Sequence, residues 1–338
     1  MQTETHADAA VFERMADEWN SLHDPARPEA LFLRAEWQGL WWRCLGRGDL
    51  NVVLVRDNDG RLTGIAPWFV EDVEGERTVQ TIGYLDVGDY LGVAYAPDRA
   101  EAVLSVLLTY LDSDEAPAWD VLNVGSVPHG SPTLGHLPPL AQAEGWKVET
   151  RVQDVAPVVT LAGDFETYLE ALDGKQRREL RRKLRRAEAW EGGADWYTVG
   201  PEHDFDEEVA AFLDLMAMSA PEKAYFLEER GYRAYMEQLA AMANDVGWLR
   251  LQFLRVEGQR AAGLFNLVYG NRLMVYNSGF NYQDFGAISP GWVLFGYSIA
   301  DAIEQGMTHY DFLRGAEDYK YRLGGVDTKV YDIVIRRG

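Results

Sequence analysis

The chain has 338 residues, 47% of them hydrophobic, which is ample material for packed cores and favours two domains over one. Its net charge of −22 argues against general affinity for nucleic acid or anionic membranes, because the long-range field repels phosphate. A single cysteine, Cys44, excludes an internal disulfide, and the six histidines lack the spacing of metal ligands. No apolar run reaches the roughly 20 residues that cross a bilayer, and no early segment resembles a signal peptide, so we expect a cytoplasmic protein without a membrane span.

Apolar periodicity predicts an order of elements that occurs twice along the chain. The first copy has helices at 8–22 and 35–46, strands at 50–57, 62–71 and 77–83, a helix at 98–112, a strand at 119–125, a helix at 133–145 and a strand at 146–153. A strand at 157–161 and a basic helix follow. The second copy has helices at 204–219 and 229–245, strands at 248–257, 260–269 and 272–280, a helix at 290–305, a strand at 308–313, a short helix at 316–322 and a strand at 329–336. We therefore expect two domains, 1–155 and 156–338, with the basic helix at 174–190 bridging them.

Two segments support an internal duplication at the level of residues. "LVRDNDGRLTGIA" and "FLRVEGQRAAGLF" each place an arginine eight residues before a glycine, Arg56 to Gly64 and Arg255 to Gly263. Each arginine and glycine flank a turn-rich centre between apolar strands, which predicts a β-hairpin. The match falls at the same place in both element orders, so we interpret the chain as a repeat with its boundary near residues 154–160.

The segment "KQRRELRRKLRR", residues 175–186, reverses the acidic character of the chain. It carries a net charge of +7, which leaves −29 for the remaining residues. One interpretation is a solvated helix with an apolar stripe, whose arginines pair with acidic residues elsewhere. The other is a site for a phosphate or an acidic substrate, for which the candidate residues are Arg178, Arg181 and Arg182.

The repeated order of helix, helix, three antiparallel strands, helix, strand, helix and strand resembles the GNAT acyltransferase fold. The whole chain resembles the CelD-like acetyltransferase group, which is related to the Fem-type peptidyltransferases. The motifs that carry this resemblance are "GIAPWF", "DYLG", the basic helix, "SPGWVL" and "YDFLRGAEDYKYRLG". The resemblance implies an α/β (α+β) fold of two tandem GNAT-like domains, each a mixed sheet flanked by helices. It also implies transfer of an acyl group from acetyl-CoA or another acyl-CoA to an amine or hydroxyl of a small-molecule, saccharide or peptide acceptor.

A donor site is predicted in "NYQDFGAISPGWVL", where a helix begins after a glycine-containing turn. Ser289 is the expected N-cap, and Gly286 and Gly291 leave backbone uncovered, so free N–H groups and the helix dipole would meet a phosphate. The GNAT signature Q/R-x-x-G-x-G/A is matched by Gln283 and Gly286, but Ile288 stands where a small residue is expected. A side chain there would crowd a pyrophosphate, which keeps a different donor open. Capped helix starts of this kind are also ordinary structure.

The catalytic groups are predicted in the carboxyl-terminal segment "YDFLRGAEDYKYRLGG". The resemblance implies that its strand splays from its neighbour to form a cleft, and that a tyrosine of the following helix protonates the leaving thiolate. It also implies a functional lysine in a carboxyl-terminal K-x-x-x-G motif, as in Fem-like enzymes, and this motif runs here from Lys320 to Gly324. Lys320 is the candidate for stabilising negative charge on the reacting carbonyl or on a donor phosphate. Tyr319 or Tyr321 is the candidate proton donor, and Asp311 or Glu317 is the candidate for positioning these groups. The alternative is an exposed helix on which Glu317 and Lys320 form a weak surface pair.

The loop "YLDVGDYLG" of the first copy supplies further candidates. If the two copies face each other, Asp89 could orient or deprotonate an acceptor amine and Tyr90 could contact the substrate, while Asp86 fits turn chemistry better. Two other functions stay open. One is a Fem-like transferase that uses aminoacyl-tRNA and contacts RNA through the basic helix, and the other is a non-catalytic GNAT-repeat binding protein.

Overall fold

A computed structural model of the protein describes residues 1–84, 87–229 and 231–337. The chain forms two compact units, one of Met1–Val155 with Thr328–Gly338 and the other of Ala156–Asp327. Each unit contains a mixed parallel and antiparallel sheet flanked by helices. The sequence analysis assigned residues 328–338 to the second domain, whereas the structure groups them with the first unit.

The first unit follows the predicted element order, with two additional short strands. Its elements are β1 (Gln2–His6), α1 (Val11–Arg14), α2 (Ala16–Asn20), α3 (Ala35–Leu45), β2 (Asp49–Arg56), β3 (Leu62–Val73), β4 (Glu76–Thr81), β5 (Ala94–Tyr95), α4 (Ala100–Asp112), β6 (Val121–Pro128), α5 (Pro132–Ala143) and the first part of β7 (Lys147–Thr160). The helix predicted at 8–22 is two short helices that meet at Met15. Strands β1 and β5 were not predicted.

The second unit begins within β7 and also contains elements that the sequence did not reveal. Its elements are α6 (Phe165–Ala171), α7 (Gly174–Glu188), β8 (Ala194–Thr198), α8 (Phe205–Ser219), α9 (Pro221–Glu228), α10 (Tyr232–Asp245), β9 (Leu249–Val256), β10 (Gln259–Tyr269), β11 (Arg272–Phe280), α11 (Tyr282–Phe285), α12 (Pro290–Glu304), β12 (His309–Asp311) and α13 (Asp318–Arg322). The strand β13 (Val326–Arg336) follows. Elements α6, β8 and α9 were not predicted separately.

Two strand pairings join segments that lie far apart in the sequence. The strands of the first unit pair in the order β1-β2-β3-β4-β6-β13-β7, and those of the second unit pair in the order β7-β12-β11-β10-β9-β8. In the first, β6 is antiparallel to β13, and Val330 lies opposite Pro128. In the second, β12 is antiparallel to the end of β7, and Asp311 lies opposite Val158. The strands predicted separately at 146–153 and 157–161 are the single strand β7, which continues through Asp154 and Pro157.

The two hairpins singled out in the sequence are present, and each contains a bulge. The β2–β3 hairpin pairs Arg56 with Leu62, and the β9–β10 hairpin pairs Arg255 with Arg260. The second turn is therefore one residue shorter. Successive residues of a strand face opposite sides of a sheet. Because the two turns differ by one residue, residues at the same distance in sequence from the two arginines face opposite sides of their sheets.

The matched glycines Gly64 and Gly263 accordingly face different helices. A Cβ atom on Gly64 would lie 2.3 Å from Cγ1 of Val103 on α4, whereas one on Gly263 would lie 3.0 Å from Cδ2 of Phe212 on α8. Helix α4 follows the first meander, and α8 precedes the second one. The two copies thus share a bulged hairpin. Gly64 and Gly263, although equally spaced from their arginines, do not occupy equivalent positions in the two hairpins.

Helix α7 packs on α12 through the predicted apolar stripe. Leu180 and Leu184 are buried, and a Cβ atom on Gly296 of α12 would lie 3.0–3.1 Å from their side chains. Gly296 therefore allows the two helices to approach closely. Leu169 and Leu172 extend the same core from α6. This packing fixes the basic helix beside the first turn of α12.

Candidate active site

Strands β11 and β12 diverge after a short parallel pairing. In the register of the described residues, β12 pairs only with Arg272, Leu273 and Met274 of β11. Strand β11 continues to Phe280 alongside β10. The predicted splay at the strand near 308–313 is therefore confirmed. It leaves a β11–β12 cleft, which we define as the space beside residues 275–280 and residues 312–317.

Strand β11 carries a bulge at the start of this cleft. Phe265 lies opposite Asn277, whereas Asn266 lies opposite Val275, so β11 has one more residue than β10 at this point, Tyr276. A bulge bends its strand and redirects the backbone groups beside it, and bulges occur often next to active sites. The backbone of β11 is therefore reoriented at the mouth of the cleft.

A lysine that the sequence analysis missed contacts β11 at this place. The ammonium of Lys223 on α9 donates hydrogen bonds to Oδ1 of Asn277 at 2.9 Å, to the carbonyl oxygen of Ser278 at 2.5 Å and to Oγ of Ser278 at 3.3 Å. Burial lowers the pKa of Lys223 to about 8, and the charges of Glu317 and Lys320 modify that pKa in opposite directions. Lys223 thus brings a cation that titrates near neutral pH to the open part of β11.

This pKa predicts a pH-dependent contribution to stability that a Lys223→Met variant lacks. Between about pH 8 and 10.5, an unfolded chain with an ordinary lysine pKa binds a proton that folded Lys223 has lost. The unfolded state then binds more protons, so this contribution to the free energy of unfolding rises with pH across the window. Denaturant unfolding at several pH values should show a smaller rise in Lys223→Met than in the wild type. An exposed control, Lys175→Met, should keep the wild-type slope, and equal slopes in all three proteins would contradict the lowered pKa.

Lys320 is buried, with an exposed fraction of 1%, and its ammonium is fully engaged. It donates to the carbonyl oxygens of Leu313, Arg314 and Gly315 at 3.1, 2.7 and 3.1 Å. It also lies 2.9 Å from Oε2 of Glu317. The surface-pair alternative is therefore wrong for Lys320. An ammonium has three N–H donors, so these contacts leave none for a reacting carbonyl in this conformation.

Asp311 is similarly enclosed, with an exposed fraction of 0%. Its Oδ2 accepts from the Arg272 guanidinium at 2.9 Å, and its Oδ1 accepts from the backbone N–H of Leu313 at 2.9 Å. Leu313 has a positive φ of 57°, which is costly for a leucine. Asp311 and Lys320 therefore hold the turn at residues 313–315 from two sides. This geometry favours a positioning role for both residues.

The two candidate tyrosines differ in their surroundings. Tyr319 stacks on Phe295 with ring centroids 5.1 Å apart and meets Phe312 edge-on, and burial raises its pKa well above the usual range. Tyr321 is exposed, as is the carboxylate of Glu317. A buried phenol with a raised pKa holds its proton tightly, so Tyr321 is the better placed of the two to exchange a proton with a ligand.

The start of α12 has the chemistry of an anion site. Ser289 has a left-handed backbone (φ 59°, ψ 62°), and its side chain does not cap the helix. The first-turn N–H groups of Gly291 and Trp292 lack acceptors within the helix by its geometry. The side chain of Ile288, which the sequence predicted to crowd a pyrophosphate, is fully buried in the core of the second unit. Gln283 is exposed on α11, and a Cβ atom on Gly286 would meet no described atom within 4 Å. Gly291 is buried instead, and a Cβ atom on it would lie 2.8 Å from the Tyr282 hydroxyl oxygen, so the prediction of uncovered backbone is wrong for Gly291.

Lys183 of α7 completes this site, and the sequence analysis did not select it. Its ammonium donates to Oγ of Ser289 at 2.6 Å and lies 5.6 Å from the centre of the Trp292 ring. It also lies 3.3 Å from Oε1 of Glu179. Nearby, the Arg186 guanidinium donates to the carbonyl oxygen of Ala287 at 2.6 Å. The basic helix therefore supplies two cations to the segment that precedes α12.

The arginines selected from the sequence have other surroundings. Arg181 forms an ion pair with Glu166, and Arg182 forms one with Glu179 at 2.8 Å. These contacts agree with the interpretation of a solvated, salt-bridged face, and the Arg182 hydrogen bond lowers the pKa of Glu179 to about 2. Arg178 is exposed and forms no ion pair within the described part of the chain. It stays a candidate for contact with an anionic ligand.

The candidates of the first copy lie in the first unit. Tyr90 is buried and meets the Phe32 ring edge-on at 5.9 Å, which argues against the predicted contact with substrate. Asp89 is half-buried in the segment that precedes β5. Asp86 lies outside the described residues.

The described part of the chain has neither a cluster of metal ligands nor a membrane-spanning helix. Residues 1–84, 87–229 and 231–337 contain no group of three or more His, Cys, Asp or Glu side chains that could hold a metal ion. Across the same residues, every helix is too short or too polar to cross a membrane.

A protein-family model described as "Acetyltransferase (GNAT) domain" matches residues 174–321. This range contains both the start of α12 and the β11–β12 cleft. A search of curated proteins found no match. The match supports a GNAT acetyltransferase domain in the second unit, but it does not confirm the CelD-like group in particular.

Solved structures share the fold across nearly the whole chain. FemX is 14% identical, with a TM-score of 0.69 and coverage of 98% of this chain and 97% of FemX. L-PGS from Bacillus licheniformis is 13% identical, with a TM-score of 0.56 and coverage of 98% and 92%. A tandem GNAT protein from the clavulanic acid biosynthesis pathway is 13% identical, with a TM-score of 0.50 and coverage of 98% of both chains. The chain therefore has the GNAT-type acyltransferase fold of these tandem GNAT and Fem-like proteins.

Proposed function

We propose that the protein transfers an acyl group from an acyl-CoA, such as acetyl-CoA, to an amine or hydroxyl of an acceptor. The observation that carries this proposal is the anion site at the start of α12, where Lys183 contacts Ser289 beside two N–H groups of the first helical turn. The GNAT domain match at residues 174–321 supports the same chemistry. An acyl-CoA carries a diphosphate that such a site would bind.

The residues of this site fit a diphosphate. The backbone N–H groups of Gly291 and Trp292 and the third N–H of Lys183 would donate to phosphate oxygens. The Ser289 hydroxyl accepts from Lys183, so its own proton is available for the same ligand. Ile288 is buried in the core, so its side chain would not project toward the phosphates. The donor supplies an activated acyl group, and these residues would hold and orient it.

The β11–β12 cleft supports the transfer step. We assign Lys223 to stabilise negative charge that develops on the acyl carbonyl, because its ammonium contacts β11 where β12 has diverged. Its three N–H donors are engaged by Asn277 and Ser278, so it would act through its positive charge and not through a direct hydrogen bond. Tyr321 is the proposed proton donor to the leaving thiolate, and Glu317 is the proposed group that receives the acceptor proton. Lys320 and Asp311 would act as positioning residues through the turn at 313–315. Asp89 stays a proposed contact of the acceptor.

A second candidate donor is aminoacyl-tRNA, which the resemblance to Fem-type enzymes implies. The specific observation in its favour is the exposed basic side of α7, where Lys175, Arg178 and Arg185 form no ion pair within the described residues. A folded RNA end would contact such a surface through several phosphates, and its affinity would fall steeply with salt. The acyl-CoA proposal instead depends on the single enclosed cation Lys183.

The test is calorimetric titration of the protein with coenzyme A and acetyl-CoA. We expect Lys183→Met to weaken binding roughly tenfold or more, because a charge-assisted hydrogen bond contributes about 1.5–3 kcal/mol. Arg186→Gln, on the exposed side of the same site, should weaken binding less. Lys175→Met, at the exposed start of α7, is the matched control and should bind as the wild type does.

Three outcomes would contradict the proposal. Binding of coenzyme A that is unchanged in Lys183→Met would place the donor elsewhere. Binding of charged tRNA in place of coenzyme A, with a steep salt dependence, would favour the Fem-like donor. Binding of neither ligand would favour a non-catalytic GNAT-repeat binding protein.

A further inference from the structure

An open groove lies at the carboxyl-terminal end of α7, within the second unit. It has a volume of about 830 Å³ and is lined by Arg186, Ala189, Trp190, Glu191, Gly192 and Glu257. A volume in this range is sufficient for a small ligand. The groove therefore has room for a part of the donor that the start of α12 does not contact.

Arg186 connects this groove to the proposed anion site. Its guanidinium lines the groove and donates to the carbonyl oxygen of Ala287 at 2.6 Å, two residues before Ser289. Lys183, which contacts Ser289, precedes Arg186 on α7 by three residues. Lys183, Arg186 and Trp190 follow the i, i+3, i+7 spacing of one helix side, and the backbone N–H of Trp190 donates to the last turn of α7. A ligand held at Lys183 would reach Trp190 along this side, roughly 10 Å away by the helical rise.

Trp190 presents a fixed aromatic surface to the groove. Its ring packs against the core of the second unit, and its indole N–H donates to Oε1 of Glu257 at 3.0 Å. The side chain is half-buried, so part of the ring stays open to the groove. A planar ligand would stack on this ring without first having to order it. Aromatic side chains bind nucleobases in this way.

The charges of the groove change sign along its length. Arg186 lies at the end beside Ala287, and it has further N–H donors because a guanidinium has five of them. Glu191 and Glu257 are both exposed at the other end, beside Trp190. These carboxylates would repel a phosphate but would accept hydrogen bonds from an amino group. The groove thus suits a ligand with a phosphate at one end and an amino-substituted aromatic ring at the other.

We propose that this groove binds the adenosine part of coenzyme A. The adenine ring would stack on Trp190, and its exocyclic amino group would donate to Glu191 or Glu257. The phosphorylated ribose would lie beside Arg186, and the diphosphate would lie at Lys183. This inference rests on the proposed acyl-CoA donor. It adds the groove at the end of α7 to the residues that hold that donor.

The experiment uses calorimetric titrations of the full chain with three ligands. Coenzyme A has the adenine ring with its amino group, etheno-coenzyme A keeps the ring but has no amino N–H, and phosphopantetheine has no adenosine. We expect etheno-coenzyme A to bind the wild type roughly fivefold or more weakly than coenzyme A, because a carboxylate loses its donor.

The variants separate the adenosine contact from the phosphate contact. Trp190→Leu should weaken coenzyme A binding roughly fivefold or more, because stacking is lost, and should leave phosphopantetheine binding unchanged. Trp190→Phe keeps an aromatic ring and should retain most of the affinity for coenzyme A. Lys183→Met should weaken the binding of both ligands. Trp42→Leu, which changes a half-buried tryptophan of the first unit, is the matched control and should bind both as the wild type does.

Thermal unfolding of each variant distinguishes a loss of binding from a loss of folding. If Trp190→Leu does not fold, the wild type decides, and equal affinities for coenzyme A and etheno-coenzyme A would overturn the inference. Coenzyme A binding that Lys183→Met weakens and folded Trp190→Leu leaves unchanged would overturn the inference but keep the proposed donor. An equal loss of coenzyme A and phosphopantetheine binding in folded Trp190→Leu would also overturn it. Binding of neither ligand to the wild type would overturn the proposed function, and this inference with it.

Discussion

Replacing Lys320 by methionine is expected to lower the free energy of unfolding by about 3 kcal/mol or more. The substitution keeps most of the side-chain volume but leaves the carbonyl oxygens of Leu313, Arg314 and Gly315 without their shared donor. Each buried polar group that loses its hydrogen bond costs about 1–3 kcal/mol. Urea unfolding of the variant and the wild type, followed by circular dichroism, measures this difference.

Two control variants separate the carbonyl contacts from the ion pair. Glu317→Gln removes the charge that faces Lys320, and since Glu317 is exposed, the expected loss is about 0–1 kcal/mol. Lys147→Met changes an exposed lysine of the first unit and should have almost no effect. Once a donor and an acceptor are known, a Lys320→Met protein with wild-type stability and greatly reduced turnover would contradict the structural role. It would restore the direct catalytic role that the sequence predicted.

Asp311→Ala is expected to cost about 3–5 kcal/mol, because removing one member of a buried ion pair leaves the other charge uncompensated. The Arg272 guanidinium would lose its carboxylate, and the backbone N–H of Leu313 would lose its acceptor. The positive φ of Leu313 would then be held less firmly. Denaturant unfolding measures the loss, and the transition should stay cooperative because the rest of the core is intact.

An exposed ion pair in the same segment provides the matched control. Asp318 and Arg322 form an exposed pair on α13, so Asp318→Ala should change stability by less than about 1 kcal/mol. The double variant Asp311→Leu with Arg272→Met should recover part of the loss, because it removes both buried charges together. Equal losses in Asp311→Ala and Asp318→Ala would show that burial of the Arg272 pair does not determine stability here.

Local sequence patterns predicted most of the elements and the central geometry of the second sheet. The alternation of apolar residues and the turn residues between them located β9, β10 and β11 to within one residue at most ends. The splay of β12 from β11 followed from the fold that the motifs resemble. These features depend on neighbouring residues in the chain, which the sequence records directly.

The destination of β13 could not be predicted in the same way. Its apolar pattern indicates a strand, but the choice between two sheets depends on contacts between residues far apart in sequence. Val330 pairs with Pro128 and Ile333 pairs with Val124 of β6, in each case more than 200 residues away in the sequence. The repeat in sequence therefore predicted that this segment is a strand but not which strand it pairs with.

Residue type alone could not show how ionisable groups are engaged. The sequence predicted Lys320 to stabilise negative charge and Asp311 or Glu317 to position the catalytic groups. The structure buries Lys320 among backbone carbonyl groups and Asp311 against Arg272 and the backbone N–H of Leu313.

Lys183 was overlooked, although the pattern contained a signal for it. Leu180, Leu184 and Ala187 form the buried face of α7, and Lys183 is the cation that shares this face. A lone cation on an apolar helix face is a better candidate than the arginines on its exposed side.

The pairing of β13 with β6 has a consequence for folding during synthesis. Val121 pairs with Arg336, more than 200 residues later in the chain. The ribosome therefore releases the whole Ala156–Asp327 unit before the strand that completes the first sheet becomes available. Until then, β6 exposes an unpaired edge that invites contact with other chains. The nascent protein should thus depend on chaperones for longer than a chain whose amino-terminal domain closes on itself.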